Sequence, residues 1–116
     1  MKRLSEEDCL EAIKSGEFAP GIIGAARTVA VVLTQSWCPQ WTWMRSYLGA
    51  MPEEEGTSVF WVEYDHEDFF EPFMRFKETT FGNDQVPYVR YYRGGALAAE
   101  SNYIDKGGFS RLLSGG

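Results

Sequence analysis

The chain has 116 residues, of which 44% are hydrophobic, and it carries two cysteines and a net charge of −6. This length suits a single domain over residues 1–116, and such a chain buries roughly two-thirds of its unfolded surface without disulfide staples. Two cysteines exclude the class of small secreted proteins that are built on a disulfide framework. The excess of 17 acidic over 11 basic residues argues against nucleic acid as a partner, because phosphates would be repelled.

The sequence also argues against a membrane partner. The longest apolar stretch, residues 21–34, contains Arg27 and is shorter than the ~20 residues that a bilayer core requires. Residues 1–16 carry acidic side chains where a signal peptide needs an apolar segment. We therefore expect a cytoplasmic protein, in which a cysteine with a special setting is more often reactive than crosslinked.

Apolar periodicity, caps and turn residues predict eight elements in the order α-β-α-β-α-β-β-α. They are a helix at 5–14, a strand at 28–34, a helix from 39 to about 51, a strand at 58–64, a helix at 67–77, strands at 88–93 and 96–100, and a last helix capped at 105. Residues 18–26 are expected to form a connection with a short turn.

The connections between these elements predict how the strands pair. The first two strands are joined by a helix and should be parallel, whereas the last two form an antiparallel hairpin around Gly94-Gly95. The expected fold is α/β, with a central four-stranded mixed sheet and helices on both faces.

Cys38 is the residue best suited to chemistry. It follows the most apolar strand and precedes Pro39, whose fixed φ and missing N–H suit the first position of a helix. The free N–H groups and the dipole of a helix N-terminus favour a thiolate, so the position predicts a nucleophile at neutral pH. The alternative is a small apolar residue that seals the junction of strand and helix. The flanking Trp37 and Pro39 favour the reactive interpretation.

The chain around Cys38 resembles the thioredoxin superfamily. An apolar strand, the segment Trp37-Cys38-Pro39-Gln40-Trp41, a helix and a distant Val86-Pro87 before a β-hairpin carry the resemblance, which covers residue 28 to the C-terminus. It implies a thioredoxin-like fold from which the initial strand of the family is absent. It also implies that Cys38 is the attacking cysteine, that Trp37 is the tryptophan beside it, and that Pro87 is a cis-proline facing the thiol.

The resemblance further implies a substrate groove lined by Trp37, Pro39, Val86 and Pro87. Backbone groups of Val86 would pair there with an extended substrate segment. Disulfides of proteins or of small thiols are the expected substrates. No cofactor is expected apart from glutathione or another low-molecular-weight thiol as a co-substrate, and a homodimer is compatible with the sequence.

Two positions depart from the family's pattern. The resolving cysteine would lie three residues after Cys38, where this chain has Trp41, and the buried acid of the preceding strand is replaced by Val32. In the dithiol mechanism the second thiol breaks the mixed disulfide that the first one forms, and Trp41 cannot do so.

These departures leave open whether the protein is an enzyme. One hypothesis is a monothiol protein of cell redox homeostasis, in which Cys38 exchanges disulfides and an external thiol resolves the adduct. The alternative is a non-catalytic binding module that uses the groove beside Pro87 for a protein partner. A thiol peroxidase or transferase ranks last, because no basic residue follows Cys38 before Arg45.

The other candidate groups have simpler structural interpretations. Cys9 could resolve a mixed disulfide, but its helix and that of Cys38 should lie on different faces of the sheet, which favours a buried helix residue. His66 could act as a base toward Cys38, although a solvated loop position is favoured. Two cysteines and one histidine at unrelated spacings argue against a zinc site. Asp65 resembles the structural acid that ends the second strand in many family members.

Three tryptophans lie between residues 37 and 43. Trp41, three residues after Cys38, should point into the core, and Trp37 should be exposed. With Tyr88, Tyr91 and Tyr92 across the hairpin, these rings need no functional explanation if they belong to the core. As an exposed cluster around the thiol they would form an apolar binding patch.

Overall fold

The computed structural model of the protein describes residues 1–115, so Gly116, the last residue of the predicted domain, lies outside this range. The strands are β1 (Lys2–Arg3), β2 (Thr28–Thr34), β3 (Thr57–Glu63), β4 (Tyr88–Arg93) and β5 (Ala96–Ser101). The helices are α1 (Glu6–Ser15), α2 (Pro20–Ile23), α3 (Pro39–Ala50), α4 (Phe70–Thr79) and α5 (Lys106–Ser114), and Tyr64–His66 forms a 3₁₀ turn.

The five strands form one mixed sheet in the order β1-β3-β2-β4-β5. Strands β1, β3 and β2 are parallel, whereas β4 is antiparallel to both β2 and β5. Strand β2 lies at the centre, and its residues after Thr28 are all buried. Burial on both faces explains why β2 is an unbroken apolar and β-branched run, whose ends the sequence predicts correctly.

The prediction of four strands without an initial strand is wrong by one short strand. Lys2 and Arg3 pair in parallel with Phe60 and Trp61, and the Leu4 N–H continues this ladder to the Trp61 carbonyl at 2.8 Å. A strand of two exposed, charged residues has neither an apolar alternation nor a β-branched run, so sequence periodicity could not indicate it.

Alternate residues of β2 supply two separate cores, one on each face of the sheet. Val29, Val31 and Leu33 pack with residues of α1, α2 and α4, and this layer contains Cys9. Ala30 and Val32 pack with residues of α3 and α5, and this second layer contains Cys38. The two cysteines therefore lie on opposite faces of the sheet, as their predicted helices suggest.

Local signals fix most helix ends. Ser5 and Asp8 form a capping box at the start of α1, with Ser5 Oγ accepting from the Asp8 N–H at 3.1 Å and Asp8 Oδ2 accepting from the Ser5 N–H at 2.9 Å. Asp105 caps α5 through the Gly108 N–H at 2.8 Å. Helix α4 begins three residues later than predicted because Pro72 lies in its first turn, where a missing N–H removes no helical hydrogen bond.

Candidate functional site

Cys38 is the N-cap residue of α3, at the carboxyl end of the central strand. Its N–H closes a turn onto the Gln35 carbonyl at 3.4 Å, and Pro39 is the first residue of the helix. The cysteine is 5% exposed, it forms no disulfide, and its Sγ donates to the Val86 carbonyl at 3.6 Å. Cys38 is thus almost completely buried, and only a small part of the residue is exposed to solvent.

The register of β2 and β4 brings Val86 to Cys38. The two strands are antiparallel with Leu33 opposite Tyr88, so the chain that leaves β2 and the chain that enters β4 lie side by side at one edge of the sheet. The Val86–Pro87 peptide bond is cis, Pro87 is buried and Val86 is half-buried.

The two remaining predicted groove residues flank the thiol along the chain. Trp37 is 65% exposed, and its indole N–H donates to Gln35 Oε1 at 2.6 Å. Pro39 is exposed as well. The four residues that the resemblance assigns to a substrate groove therefore belong to the two segments that meet at Cys38.

Asp65 anchors the loop between β2 and α3. Its two carboxylate oxygens accept from the Ser36 backbone N–H at 2.8 Å and from the Ser36 hydroxyl at 2.6 Å. Burial raises the pKa of the Asp65 carboxyl, but the hydrogen bonds from Ser36 outweigh that effect and hold the pKa below its usual value. His66, the next residue, is exposed, and within residues 1–115 no hydrogen bond joins its ring to Cys38.

The position of a resolving cysteine is filled by a core side chain. Trp41 is 1% exposed, its ring lies 6.1 Å from that of Trp61, and its indole N–H donates to Glu63 Oε2 at 2.7 Å. Arg45 pairs with the same oxygen at 3.0 Å.

Glu63 is an acid of this region that the sequence reasoning missed. The strand before Cys38 contains no acid, and its Val32 is fully buried in the second core. The two-residue period of β3 could have indicated Glu63, since it places this last residue on the same face as Trp61, toward α3. Its Oε2 is engaged by Trp41 and Arg45, which gives it a structural role.

The second thiol is a core residue. Cys9 is fully buried on the opposite face of the sheet from Cys38. Burial raises the pKa of the Cys9 thiol to about 12, and the charges of Asp8 and Glu67 add to the effect. Cys9 therefore stays protonated at neutral pH, where the thiolate is the reactive form.

The chain resembles known proteins in its structure. No protein-family model matches the sequence, and no curated protein does. Among solved structures, thioredoxin O1 of Arabidopsis thaliana in its oxidized state superposes with a TM-score of 0.65 at 15% identity, over 98% of this chain and 95% of that chain. A mutant thioredoxin of Halobacterium salinarum gives 0.64 at 14% identity, over 81% and 78% of the two chains. Trxlp of Edwardsiella tarda gives 0.60 at 22% identity, over 97% and 96%. The chain has a thioredoxin fold.

This thioredoxin fold confirms the predicted α/β class and the predicted thioredoxin-like fold, apart from the strand count.

Further aromatic side chains are exposed near the start of α3. Trp43 is 62% exposed, and its ring lies edge-on to the 39% exposed Tyr103 at 6.2 Å between ring centres. Trp37 and Trp43 are thus the two most exposed large apolar side chains of the described residues.

Neither a metal cluster nor a membrane helix was found in the described part of this thioredoxin fold. Within residues 1–115, no three histidine, cysteine or carboxylate side chains are grouped so that they could hold a metal ion. Over the same residues, no helix is both long enough and apolar enough to cross a bilayer.

Proposed function

We propose that the protein exchanges disulfides through a single thiol, with Cys38 as the attacking group. The observation that carries the proposal is the position of Cys38 at the N-terminus of α3, with its Sγ 3.6 Å from the Val86 carbonyl. The first N–H to bond within the helix belongs to Thr42, which donates to the Cys38 carbonyl at 3.1 Å. The N–H groups of Gln40 and Trp41 precede it, have no acceptor within residues 1–115, and could stabilise a negative sulfur.

The reaction proceeds in two displacements. In the first, the Cys38 thiolate attacks one sulfur of a disulfide RS–SR′, forms the mixed disulfide Cys38–S–S–R and releases R′S⁻. In the second, an external thiolate attacks the R sulfur, so that a new disulfide with R is released and Cys38 returns as a thiolate. The external thiol contributes the electron pair that a second cysteine would otherwise supply.

Glutathione, or another low-molecular-weight thiol, is the proposed external reductant. Cys9 is unsuited to this step because it is buried on the opposite face of the sheet. A buckwheat glutaredoxin, solved as a complex with glutathione, superposes on this chain with a TM-score of 0.57 at 16% identity, over 97% of this chain and 96% of that chain. The likeness supports glutathione as a ligand that this fold can accommodate.

The substrate is proposed to lie as an extended segment along Trp37, Pro39, Val86 and Pro87. The half-buried Val86 offers backbone groups for strand-like pairing. The exposed ring of Trp37 offers an apolar contact beside the sulfur.

A specific observation favours a second candidate function, a non-catalytic binding module for a protein partner. Cys38 is only 5% exposed, whereas Trp37 and Trp43 are largely exposed. Aromatic side chains of this kind often carry the binding energy of protein interfaces.

Intact mass spectrometry separates the two functions. Purified protein is incubated with oxidised glutathione, with and without later reduction, and compared with the Cys38→Ser and Cys9→Ser variants. Disulfide exchange predicts one reducible glutathionyl adduct in the wild type and in Cys9→Ser and none in Cys38→Ser. Absence of the adduct from the folded wild type, with protein partners retained by Cys38→Ser in pull-down, would support the binding module instead.

A further inference from the structure

A buried lysine binds the loop between α4 and β4, which contains Val86 and is called the Val86 loop below. Lys77 of α4 is completely buried, and its Nζ donates to the Asn83 carbonyl at 2.8 Å. The ammonium also lies 5.6 Å from the centre of the Tyr88 ring, at the start of β4. Lys77 thus contacts both ends of the segment that contains Val86.

A pair of side-chain amides holds the same loop from the other side. Asn83 Nδ2 donates to Asn102 Oδ1 at 3.1 Å, and Asn102 Nδ2 donates to Asn83 Oδ1 at 2.9 Å. Asn102 Nδ2 also donates to the Pro87 carbonyl at 3.1 Å, and the Gln85 N–H donates to Asn83 Oδ1 at 3.0 Å. Hydrogen bonds therefore connect α4, through the loop, to the residue next to Val86.

Burial of Lys77 is costly, and the one hydrogen bond that its side chain forms within residues 1–115 shows where the side chain acts. A buried ammonium is unfavourable unless it is paired. Among residues 1–115, no carboxylate lies within 4.0 Å of Nζ, and its hydrogen-bond acceptor is the backbone of the Val86 loop. An apolar side chain of similar volume would fill this part of the core without that cost, but it could not bind the loop.

We propose that Lys77 and the Asn83–Asn102 amide pair are positioning residues, which fix the Val86 carbonyl against the thiol of Cys38. The proposal rests on the proposed function, since it assigns these three residues to the control of the same thiol. They do not contact the reacting sulfur. They act on it through the Val86 loop alone.

This arrangement affects two reactions of Cys38 in opposite directions. The Val86 carbonyl accepts the S–H hydrogen bond and covers the sulfur, so a looser loop should expose Cys38 to a small alkylating reagent. The same loop presents the Val86 backbone to an extended disulfide substrate, so a looser loop should weaken that pairing. A general loss of stability would not separate the two rates in this way.

The test compares Lys77→Met and Asn102→Ala with the wild type and with Phe69→Leu. Phe69 is buried in the same core as α4 and packs on Phe73, and within residues 1–115 no hydrogen bond or ring pair joins its side chain to residues 83–88, so it serves as the control for lost packing. Two rates are measured under conditions in which every variant is folded. They are alkylation by iodoacetamide and mixed-disulfide formation with an extended peptide that carries a glutathionylated cysteine.

We expect alkylation to accelerate and exchange to slow, each by about fivefold, the effect of one lost hydrogen bond, in Lys77→Met and Asn102→Ala but not in Phe69→Leu. Rates that stay unchanged, or that shift together in all variants, would overturn the positioning role. If Lys77→Met does not fold, the rates of Asn102→Ala alone test the positioning role.

The proposed function can fail separately from this positioning role. A wild type that is alkylated at Cys38 but exchanges with no disulfide would contradict the proposed function. The alkylation rates then decide the positioning role by themselves. Acceleration in the two variants supports it, and equal rates overturn it.

Discussion

Trp41 determines what Cys38 can do, because it stands three residues later on the first turn of α3. Its indole lies in the core and donates to Glu63, so the position of a resolving thiol is occupied by a side chain that cannot exchange disulfides. The inward position of Trp41 could be predicted from helical spacing, and the predicted exposure of Trp37, which precedes the helix, is also confirmed. The hydrogen bond between Trp41 and Glu63 could not, because the period of β3 gives only the face on which Glu63 lies, and the contact also depends on how α3 is aligned along the sheet.

A second thiol at this position should turn the protein into a dithiol. In Trp41→Cys, oxidation should join the new thiol to Cys38, so that free-thiol titration loses two groups without external glutathione. The loss of a buried tryptophan should cost about 3–5 kcal/mol of unfolding free energy, as measured in urea. Trp41→Ser is the control, since it leaves a similar cavity but no thiol. If oxidised Trp41→Cys keeps two free thiols at residues 38 and 41, a spacing of three residues is not sufficient for a disulfide to form at this site.

At the scale of elements, the site depends on contacts between segments that are far apart in sequence. Strand β2 and α1 could be predicted because their signals, an apolar β-branched run and a capping box, lie within the elements themselves. The link between Asp65 and Ser36 joins two loops 29 residues apart, and the pair of Asn83 and Asn102 spans 19. Such partners emerge only when the sheet register is known.

Removal of the Asp65 carboxylate should loosen the loop that carries Cys38. Asp65→Ala loses both bonds to Ser36 and should cost about 1–3 kcal/mol of unfolding free energy at neutral pH. The pKa of Asp65 is lowered in the folded state, so its stabilisation is fully present above the unfolded value of about 3.8 and is lost as the pH falls through the folded pKa.

Urea unfolding of wild type and Asp65→Ala across pH measures this difference in stability. The two proteins should converge at low pH. Ser36→Ala, which loses only the hydroxyl bond, should fall between them. A difference that is independent of pH would contradict the charged role of Asp65.

For the molecule as a whole, the most unusual energetic feature is a cation enclosed in a core. Burial lowers the pKa of Lys77 to about 8, with Glu78 and Asp84 partly offsetting the effect. The ring of Tyr88 also lies beside the Lys77 ammonium. Burial is the chief reason why the pKa of Tyr88 is raised above its usual value, so this side chain stays neutral in the pH range in which Lys77 titrates. Sequence patterns could not reveal this cost. A lysine next to Phe76 near the end of an amphipathic helix is expected to lie in solvent, whereas Lys77 is buried.

The charge of Lys77 should make the stability of the fold depend on pH in the alkaline range. Between about pH 8 and the unfolded value of 10.5, the unfolded chain keeps a proton that the folded chain has released. The unfolding free energy of the wild type should therefore rise with pH relative to Lys77→Met, by about 1–3 kcal/mol across this window.

Urea unfolding of the two proteins at pH 7.5 and at pH 10 provides the measurement. Cys9, whose pKa is about 12, affects both proteins equally, so the difference between them isolates Lys77. A constant difference across the window would mean that Lys77 keeps an ordinary pKa in the folded protein.

The two-residue strand β1 also affects how the edge of the sheet can pair with another molecule. It pairs with Phe60 and Trp61 in the middle of β3 and so interrupts the outer ladder of N–H and C=O groups that could otherwise pair with another chain. Its own outer edge is short and carries Lys2 and Arg3, of which Arg3 is fastened to Glu67 at 2.8 Å. A short edge strand with charged side chains discourages edge-to-edge pairing with the strand of another molecule. The element that sequence periodicity could not indicate is therefore the one that leaves β3 with a short, charged outer edge.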